Sequence, residues 1–166
     1  MLNEDENKNL VIGIGNTGRQ DDGLGWKFLD LITDQNNPLL DTDEKNPSFD
    51  IEYRYQLQIE DADLISRYSR VIFIDSTLEK TTEGFYFRAI EPKGNEQLLS
   101  HALSPETVLN LCSSIYNKNP VCFILGIEGQ RWDLKYGLSE MASINLRKAK
   151  NFWIEKVYCL PLEDKS

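Results

Sequence analysis

Leu10-Val11-Ile12-Gly13-Ile14-Gly15 is a short apolar run that ends in glycine, the pattern of a strand buried on both faces. The pattern returns at Val71-Ile72-Phe73-Ile74-Asp75 and at Val121-Cys122-Phe123-Ile124-Leu125-Gly126. Continuous apolar runs of this kind are typical of parallel sheets that are covered by helices on both faces. The chain is therefore predicted to be built around a mostly parallel sheet.

Helical patterns separate these strands. Apolar residues recur at helical spacing from Leu24 onward, and Ser104-Pro105 has the cap and first-turn residues of a helix start. A last helix is predicted to begin near Ser139, and a short one to span residues 60–68. The alternation of strands and helices predicts a three-layer α/β/α sandwich.

Two further strands complete the predicted sheet. Residues 49–57 alternate in polarity and are predicted to form the second strand. Residues 85–90 alternate as well, but follow the third strand too closely for a helical crossover. They are expected to pair antiparallel at one edge of the otherwise parallel, twisted sheet.

Composition narrows the possible functions. The 166 residues include 18 Lys and Arg against 27 Asp and Glu, a net charge of −9, so no nucleic-acid partner is expected. Residues 1–9 are expected to be a flexible tail, and no apolar run approaches the ~20 residues that cross a bilayer. The three cysteines are too few and too scattered for a disulfide framework. We expect one cytoplasmic domain, residues 1–166, without a membrane partner.

Three residues with reactive side chains can converge at the carboxyl edge of the sheet. Asp22 follows the first strand, Asp75 ends the third, and His101, the only histidine, precedes a helix. Two carboxylates and one imidazole can hold a divalent metal with open coordination positions. Structural roles remain open as well: Asp22 as a helix cap, Asp75 as the cap of a turn, and His101 as a hydrogen-bonding partner.

The first loop also matches a nucleotide-binding pattern. Gly13, Gly15 and Gly18 fit the G-x-G-x-x-G of dinucleotide sites. However, Asp21 and Asp22 stand where a pyrophosphate would seek the start of the helix. Tight turning and close packing are an equally open role for these glycines.

Taken in order, several motifs resemble those of the hydrogenase maturation proteases. The resemblance covers roughly residues 10 to 150. The quoted motifs are Val11-Ile12-Gly13-Ile14-Gly15-Asn16, Asp21-Asp22-Gly23-Leu24-Gly25, Tyr55-Gln56-Leu57, Val71-Ile72-Phe73-Ile74-Asp75, Ser100-His101-Ala102-Leu103-Ser104-Pro105-Glu106, Leu125-Gly126-Ile127 and Gly137-Leu138-Ser139.

The resemblance implies an endopeptidase. Members of that family remove a C-terminal extension from the large-subunit precursor of a nickel–iron hydrogenase after nickel has been inserted. By resemblance, Asp22, Asp75 and His101 contact the metal. The implied metal is nickel, which the substrate could supply and for which zinc or cadmium could substitute. Gln20 stands where the family commonly has glycine, and residues 35–48 resemble a local insertion.

Several mechanisms remain open at this stage. The metal could be a recognition handle that positions the scissile bond, or it could polarise the carbonyl or activate water. Alternatively, Asp22 or Asp75 could act as the general base of an aspartyl peptidase. Trp132, Tyr136 and residues 126–129 are candidates for contacting the substrate, with packing under a long loop as the other possibility.

Two other functions compete with the protease. The first is a nucleotide- or dinucleotide-binding domain that uses Gly13, Gly15 and Gly18. The second is a maturation factor that binds metal through Asp22, Asp75 and His101 but cleaves nothing. Serine- or cysteine-protease chemistry is disfavoured, because the cysteines stand in apolar stretches and His101 is the only imidazole.

Overall fold

Five strands form one sheet in the order β2-β1-β3-β5-β4. The computed structural model describes residues 8–34, 49–94 and 102–157. In chain order, the elements are β1 (Asn9–Ile14), a 3-10 turn (Thr17–Gly23), α1 (Leu24–Thr33), β2 (Phe49–Arg54), α2 (Asp61–Ile65), β3 (Arg70–Thr77), β4 (Phe85–Ala89), α3 (Pro105–Tyr116), β5 (Val121–Glu128), α4 (Glu140–Phe152) and a π-helical turn (Trp153–Val157).

The pairing of the strands confirms the predicted sheet. β1 lies between β2 and β3, and both pairings are parallel. β3 also pairs parallel with β5, which places β1, β3 and β5 side by side with their carboxyl ends at one edge. β4 pairs antiparallel with β5 and forms the outer edge of the sheet, as predicted from the short connection before it.

Helices cover both faces of the sheet, which confirms the three-layer α/β/α sandwich. On one face, side chains of β1 and β3 pack with α2 and α3. On the other face, the alternate side chains of the same strands pack with α1 and α4. Burying a Leu or Phe side chain contributes roughly 1.5–3 kcal/mol, and both faces contain such residues with no exposed surface. The fully buried examples include Leu10, Ile12, Leu24, Phe28, Ile72, Phe73 and Leu125.

The boundaries differ from the predicted ones where pairing partners begin or end. β2 stops at Arg54 instead of residue 57, because β1 ends at Ile14, the partner of Arg54. Leu57 instead forms an isolated bridge with Leu103. β3 continues past Asp75 to Thr77, because β5 supplies partners through the Thr77–Glu128 pair. Asp75 therefore lies within the strand, two residues before its end.

The serine starts of the last two helices are confirmed. Ser104 accepts a hydrogen bond from the Thr107 N–H at 3.2 Å, and Ser139 accepts one from the Ala142 N–H at 3.2 Å. Both helices therefore begin next to the carboxyl edge of the sheet. Cys112 and Cys122 are buried and form no disulfide, whereas Cys159 lies outside the described residues.

Candidate active site

The loop after β1 requires glycine at residue 15. Gly15 has a φ of +141°, and a Cβ atom there would lie 1.9 Å from the carbonyl oxygen of Asp22. The Asn16 N–H donates to that same carbonyl oxygen at 3.1 Å. The chain thus folds back on itself through the 3-10 turn, so that Asp22 is held at the end of β1.

These contacts favour the turning role of the glycines over nucleotide binding. The space beside Gly15 is filled by the chain itself, and α1 begins only at Leu24, after the whole 3-10 turn. A dinucleotide site needs the helix to open directly at the glycine loop, so that its N–H groups face the pyrophosphate. Here two carboxylates, Asp21 and Asp22, precede the helix instead.

The charge of Asp22 acts on Asp75. Burial and, after it, the negative charge of Asp22 raise the pKa of Asp75 to about 7, against opposing hydrogen bonds from the N–H and side chain of Ser76. Burial also raises the pKa of Asp22, while Arg19 and the Asn16 N–H act in the opposite direction. Two predicted site residues therefore lie close together at the carboxyl edge of the sheet.

The sequence left structural roles open for Asp22 and Asp75, and the structure supports these roles only in part. Gly23 is the N-cap residue of α1, and no side chain caps that helix, so Asp22 is not its cap. The Oδ1 atom of Asp75 accepts the N–H of Ser76 at 2.8 Å. Like charges brought together beside a half-buried carboxylate are the arrangement that a bound cation would relieve.

His101 lies outside the described residues, so its role as the third ligand stays a prediction. Within the described ranges, no group of three or more His, Cys, Asp or Glu side chains is placed to hold a metal ion. The residues that follow His101 are described: the Leu103 N–H donates to the Leu57 carbonyl at 3.4 Å, just before α3 begins. Asp22 and Asp75 are described, but their role as metal ligands stays a prediction as well.

Asp21, the neighbour of Asp22, has a different environment. It has no exposed surface, and its Oδ2 atom accepts the N–H groups of Gln130 and Arg131 at 2.7 and 2.9 Å. Ser139 donates its hydroxyl to Oδ2 and its N–H to Oδ1, both at 2.7 Å. Burial alone would raise the pKa of Asp21, but these hydrogen bonds together lower the pKa below its ordinary value. Asp21 thus ties both ends of segment 130–139 to the loop after β1.

Segment 130–139 holds two of the predicted substrate contacts. Tyr136 is 83% exposed, and Leu134 beside it is 85% exposed. Trp132 is only partly buried, and its ring lies against Gly129. Because this segment leaves the carboxyl end of β5, its exposed side chains stand on the same edge of the sheet as Asp75. Whether Trp132 and Tyr136 contact a substrate remains a prediction.

A groove lies next to the end of β2. Its lining mixes aromatic, amide and charged side chains, from Tyr53, Arg54, Tyr55, Gln56, Gln58, Glu60, Asp61 and Leu64. Asp61 fixes one wall, since its carboxylate accepts from Arg54 Nε and from the Gln58 N–H, both at 2.9 Å.

Comparison with known proteins identifies the fold. No family model matches the chain, and no curated protein matches it. A hydrogenase 2 maturation peptidase from Thaumarchaeota archaeon SCGC_AB-539-E09 is 22% identical, with a TM-score of 0.60 over 90% of this chain and 97% of that one. The [NiFe] hydrogenase maturation protease HycI from Thermococcus kodakarensis KOD1 is 17% identical, with a TM-score of 0.64 over 92% and 93%. The chain has the hydrogenase maturation protease fold.

A third structure with this fold agrees with the first two. The hydrogenase maturating endopeptidase HybD from E. coli is 16% identical, with a TM-score of 0.56 over 87% of this chain and 88% of that one. The predicted fold is therefore confirmed by both strand pairing and comparison. In the described part of the chain, no helix combines the length and apolar character needed to cross a membrane.

Sequence reasoning did not find the role of Asp21. Its partners stand more than a hundred positions away, and no local pattern links Asp21 with Ser139. A signal was present in retrospect: two adjacent acids followed by glycine cannot both cap one helix, so one of them needs distant donors. Tyr86 was also missed, because strand alternation alone does not show that its ring crosses Gly126.

Proposed function

We propose that this protein is an endopeptidase that removes the C-terminal extension of a nickel–iron hydrogenase large-subunit precursor after nickel insertion. The observation that supports it most is the pair of coupled acids, Asp22 and Asp75, at the carboxyl edge of a hydrogenase maturation protease fold. Ligands of parallel α/β sheets bind at this edge. The resemblance of the motifs around Asp22, Asp75 and His101 gives the same residues.

The residues present fit a divalent cation. Asp22 and Asp75 supply carboxylate oxygens. Burial and, to a smaller extent, the charge of Asp22 raise the pKa of Asp75, and a positive charge beside the two acids would offset both effects. We propose His101 as the third ligand. Nickel carried by the precursor is the metal of this proposal, so it belongs to the substrate and marks the precursor as ready for cleavage.

The chain's own residues then have two tasks. Asp22, Asp75 and His101 hold the nickel-bearing part of the precursor in place, and this brings the scissile bond to the sheet edge. Asp75 is also the general base of the proposal, because an ionised carboxylate at the reacting bond can accept a proton from the attacking water. Bound metal would supply further polarisation of the scissile carbonyl.

The test is a cleavage assay on the full-length protein. The precursor is supplied with and without nickel, and the release of its C-terminal peptide is followed by mass spectrometry. We expect cleavage of the nickel-loaded precursor only. Asp75→Asn and His101→Ala should lose it, whereas Glu155→Gln, which removes an exposed charge on the π-helical turn, should keep it.

Three results would contradict this proposal. No cleavage of nickel-loaded precursor by the wild type would leave the non-catalytic maturation factor as the better account. Thermal stabilisation by NAD or ATP, without stabilisation by nickel, cadmium or zinc, would favour the nucleotide-binding domain. Cleavage at the full rate by Asp75→Asn would separate the activity from the acid pair.

A further inference from the structure

Tyr86 lies at the same level of the sheet as Asp75, two strands away. Gly126 in β5 pairs with Asp75 on one side and with Tyr86 on the other. Residues paired in this way project from the same face of the sheet. Since neighbouring strands are about 4.8 Å apart, Asp75, Gly126 and Tyr86 form one row across three strands.

Gly126 leaves the space that the ring of Tyr86 occupies. A Cβ atom on Gly126 would lie 2.3 Å from Cζ of Tyr86 and 2.6 Å from its hydroxyl oxygen. The ring of Tyr86 therefore extends from the edge strand β4 across β5. Its hydroxyl group lies over Gly126, and Asp75 is the next residue of the row. Any side chain at residue 126 would displace it.

The surroundings hold the ring in this position. The guanidinium of Arg88 stacks over the Tyr86 ring at 4.0 Å from its centroid. Burial raises the pKa of Tyr86, Arg88 and a hydrogen bond with Thr77 act against this, and the charges of Glu79 and Asp75 add to the increase. The hydroxyl consequently keeps its proton at neutral pH and can donate it in a hydrogen bond.

The acid pair lacks such a donor. Ionised Asp22 and Asp75 only accept hydrogen bonds or bind cations, and the N–H of Ser76 is already used by Asp75. Hydrolysis of a peptide bond builds negative charge on the carbonyl oxygen, and a fixed donor stabilises that charge in the transition state. A phenol that stands beside the acids and is held from both sides meets this need.

We propose that Tyr86 is a further catalytic residue, whose hydroxyl over Gly126 donates a hydrogen bond to the carbonyl oxygen of the peptide bond cleaved beside Asp75. The proposal rests on the proposed function and deepens it, since it assigns a donor to a site otherwise described by acceptors. It involves no covalent step: the phenol keeps its proton, and its hydrogen bond strengthens as charge develops on the oxygen.

The test compares Tyr86→Phe with the wild type on the nickel-loaded precursor. This variant removes one oxygen and keeps the ring over Gly126. We expect kcat for release of the C-terminal peptide to fall by about 10²-fold, with KM changing by less than about threefold. Tyr116→Phe, at the far end of α3 and 40% exposed, is the matched control and should retain the wild-type kcat.

Gly126→Ala gives a second, independent perturbation. The added methyl group would push the ring aside, so kcat should fall although the phenol is still present. In the Tyr86→Phe background the same methyl group should cost little more, because the hydroxyl that it displaces is already gone. A merely structural role for Tyr86 would not produce this coupling.

The outcomes separate the two proposals. Wild-type cleavage with an unchanged kcat in Tyr86→Phe would overturn the role of Tyr86 and leave the proposed function standing. An increase in KM alone would also overturn it, because a transition-state donor acts on kcat. Failure of the wild type to cleave nickel-loaded precursor would overturn the proposed function, and the role of Tyr86 with it.

Discussion

Asp21 accepts four hydrogen bonds from segment 130–139, whereas the charge of the next residue, Asp22, acts on Asp75. The two environments change the acids in opposite directions. Donors around the buried carboxylate lower the pKa of Asp21, while burial without enough donors raises the pKa of Asp22 and of Asp75. Adjacent acids thus have opposite pKa shifts: Asp21 serves stability, and Asp22 is the one that we propose for chemistry.

The difference lies in how completely each carboxylate is satisfied. Asp21 is a fixed ion that holds the loop after β1 to the loop after β5. Asp75 is buried, its hydrogen bonds come only from Ser76 and it has a negative neighbour in Asp22, so its ionised form is destabilised in the free protein. A protein can retain a destabilised charge when that charge serves binding or catalysis. Acids with shifted pKa values cluster at functional sites for that reason.

The largest expected effect is on catalytic activity, and it distinguishes Asp75 from Asp21. Asp75→Asn should reduce precursor cleavage by roughly 10²–10⁴-fold, because an amide cannot act as general base and binds a cation poorly. The same change should leave the folded protein intact, since it removes a destabilised charge. Cleavage rates and thermal unfolding of the metal-free protein measure the two effects side by side.

A test at Asp22 would show whether Asp22 behaves like Asp75 and unlike Asp21. Asp22→Asn should also lose cleavage without loss of stability, whereas Glu155→Gln should change neither property. If Asp75→Asn lowered both cleavage and the melting temperature, the acid would belong with Asp21 as a structural ion.

Asp21→Asn should have the next largest effect, this time on stability. The Oδ2 atom of Asp21 accepts three donors and Oδ1 a further one, so either orientation of an amide places its NH₂ group against an N–H. We expect the free energy of unfolding to fall by about 3 kcal/mol, as for other broken buried charge networks. Urea denaturation measures it, and Glu155→Gln should stay within about 0.5 kcal/mol of wild type.

Hydrogen exchange localises the same change. The amides of Gln130, Arg131 and Ser139 should lose protection in Asp21→Asn, while those of β1 and β3 keep theirs. Unchanged protection at these three amides would show that segment 130–139 is held by other contacts.

The sequence was sufficient for the sheet, because buried strands depend on local patterns, whereas the roles given to Asp22 and Asp75 stay predictions. Apolar runs such as residues 71–74 predict buried strands, and parallel strands bring their carboxyl ends to one edge. That is why Asp22 and Asp75 could be paired in advance. The helix starts at Ser104 and Ser139 could also be predicted, since each serine side chain accepts a hydrogen bond from the N–H three residues later.

Long-range contacts could not be predicted from local sequence patterns. The partners of Asp21 and the ring of Tyr86 over Gly126 depend on which loops and strands become neighbours, and one sequence does not contain that information. The ends of β2 and β3 were missed for the same reason, because a strand ends where its partner ends. His101 lies outside the described residues, so its place beside the acids stays a prediction.

The pH dependence of the free energy of unfolding should also distinguish Asp75 from Asp21, although by a smaller effect. The pKa of Asp75 rises from 3.8 to about 7 on folding, so the folded state binds an extra proton between these values. Stability from this group is present below pH 3.8 and is lost as pH rises through about 7. We expect a decline on the order of 2 kcal/mol for the metal-free protein, and a flatter curve for Asp75→Asn.

Asp21 should act in the opposite direction and in another range. Its pKa is lowered on folding, so its stabilisation is present above pH 3.8 and is lost as pH falls through the folded value. Asp21→Asn should therefore be least different from wild type in strong acid. Urea denaturation across pH measures both curves, and a wild-type profile that rises from pH 4 to 7 would contradict the assignment for Asp75.

The smallest expected effect concerns Gln20, which stands just before the two acids. Its φ of +48° and ψ of −115° favour glycine, the residue that the motif resemblance leads us to expect there, and strain of this kind costs on the order of 1–3 kcal/mol. Its buried side chain offsets part of that cost, because Oε1 accepts the Asp133 N–H at 3.3 Å. Gln20→Gly removes both contributions, so the free energy of unfolding should change by less than about 1 kcal/mol. Urea denaturation is again the measurement. A loss as large as that of Asp21→Asn would mean that the Gln20 side chain, together with Asp21, holds segment 130–139 in place.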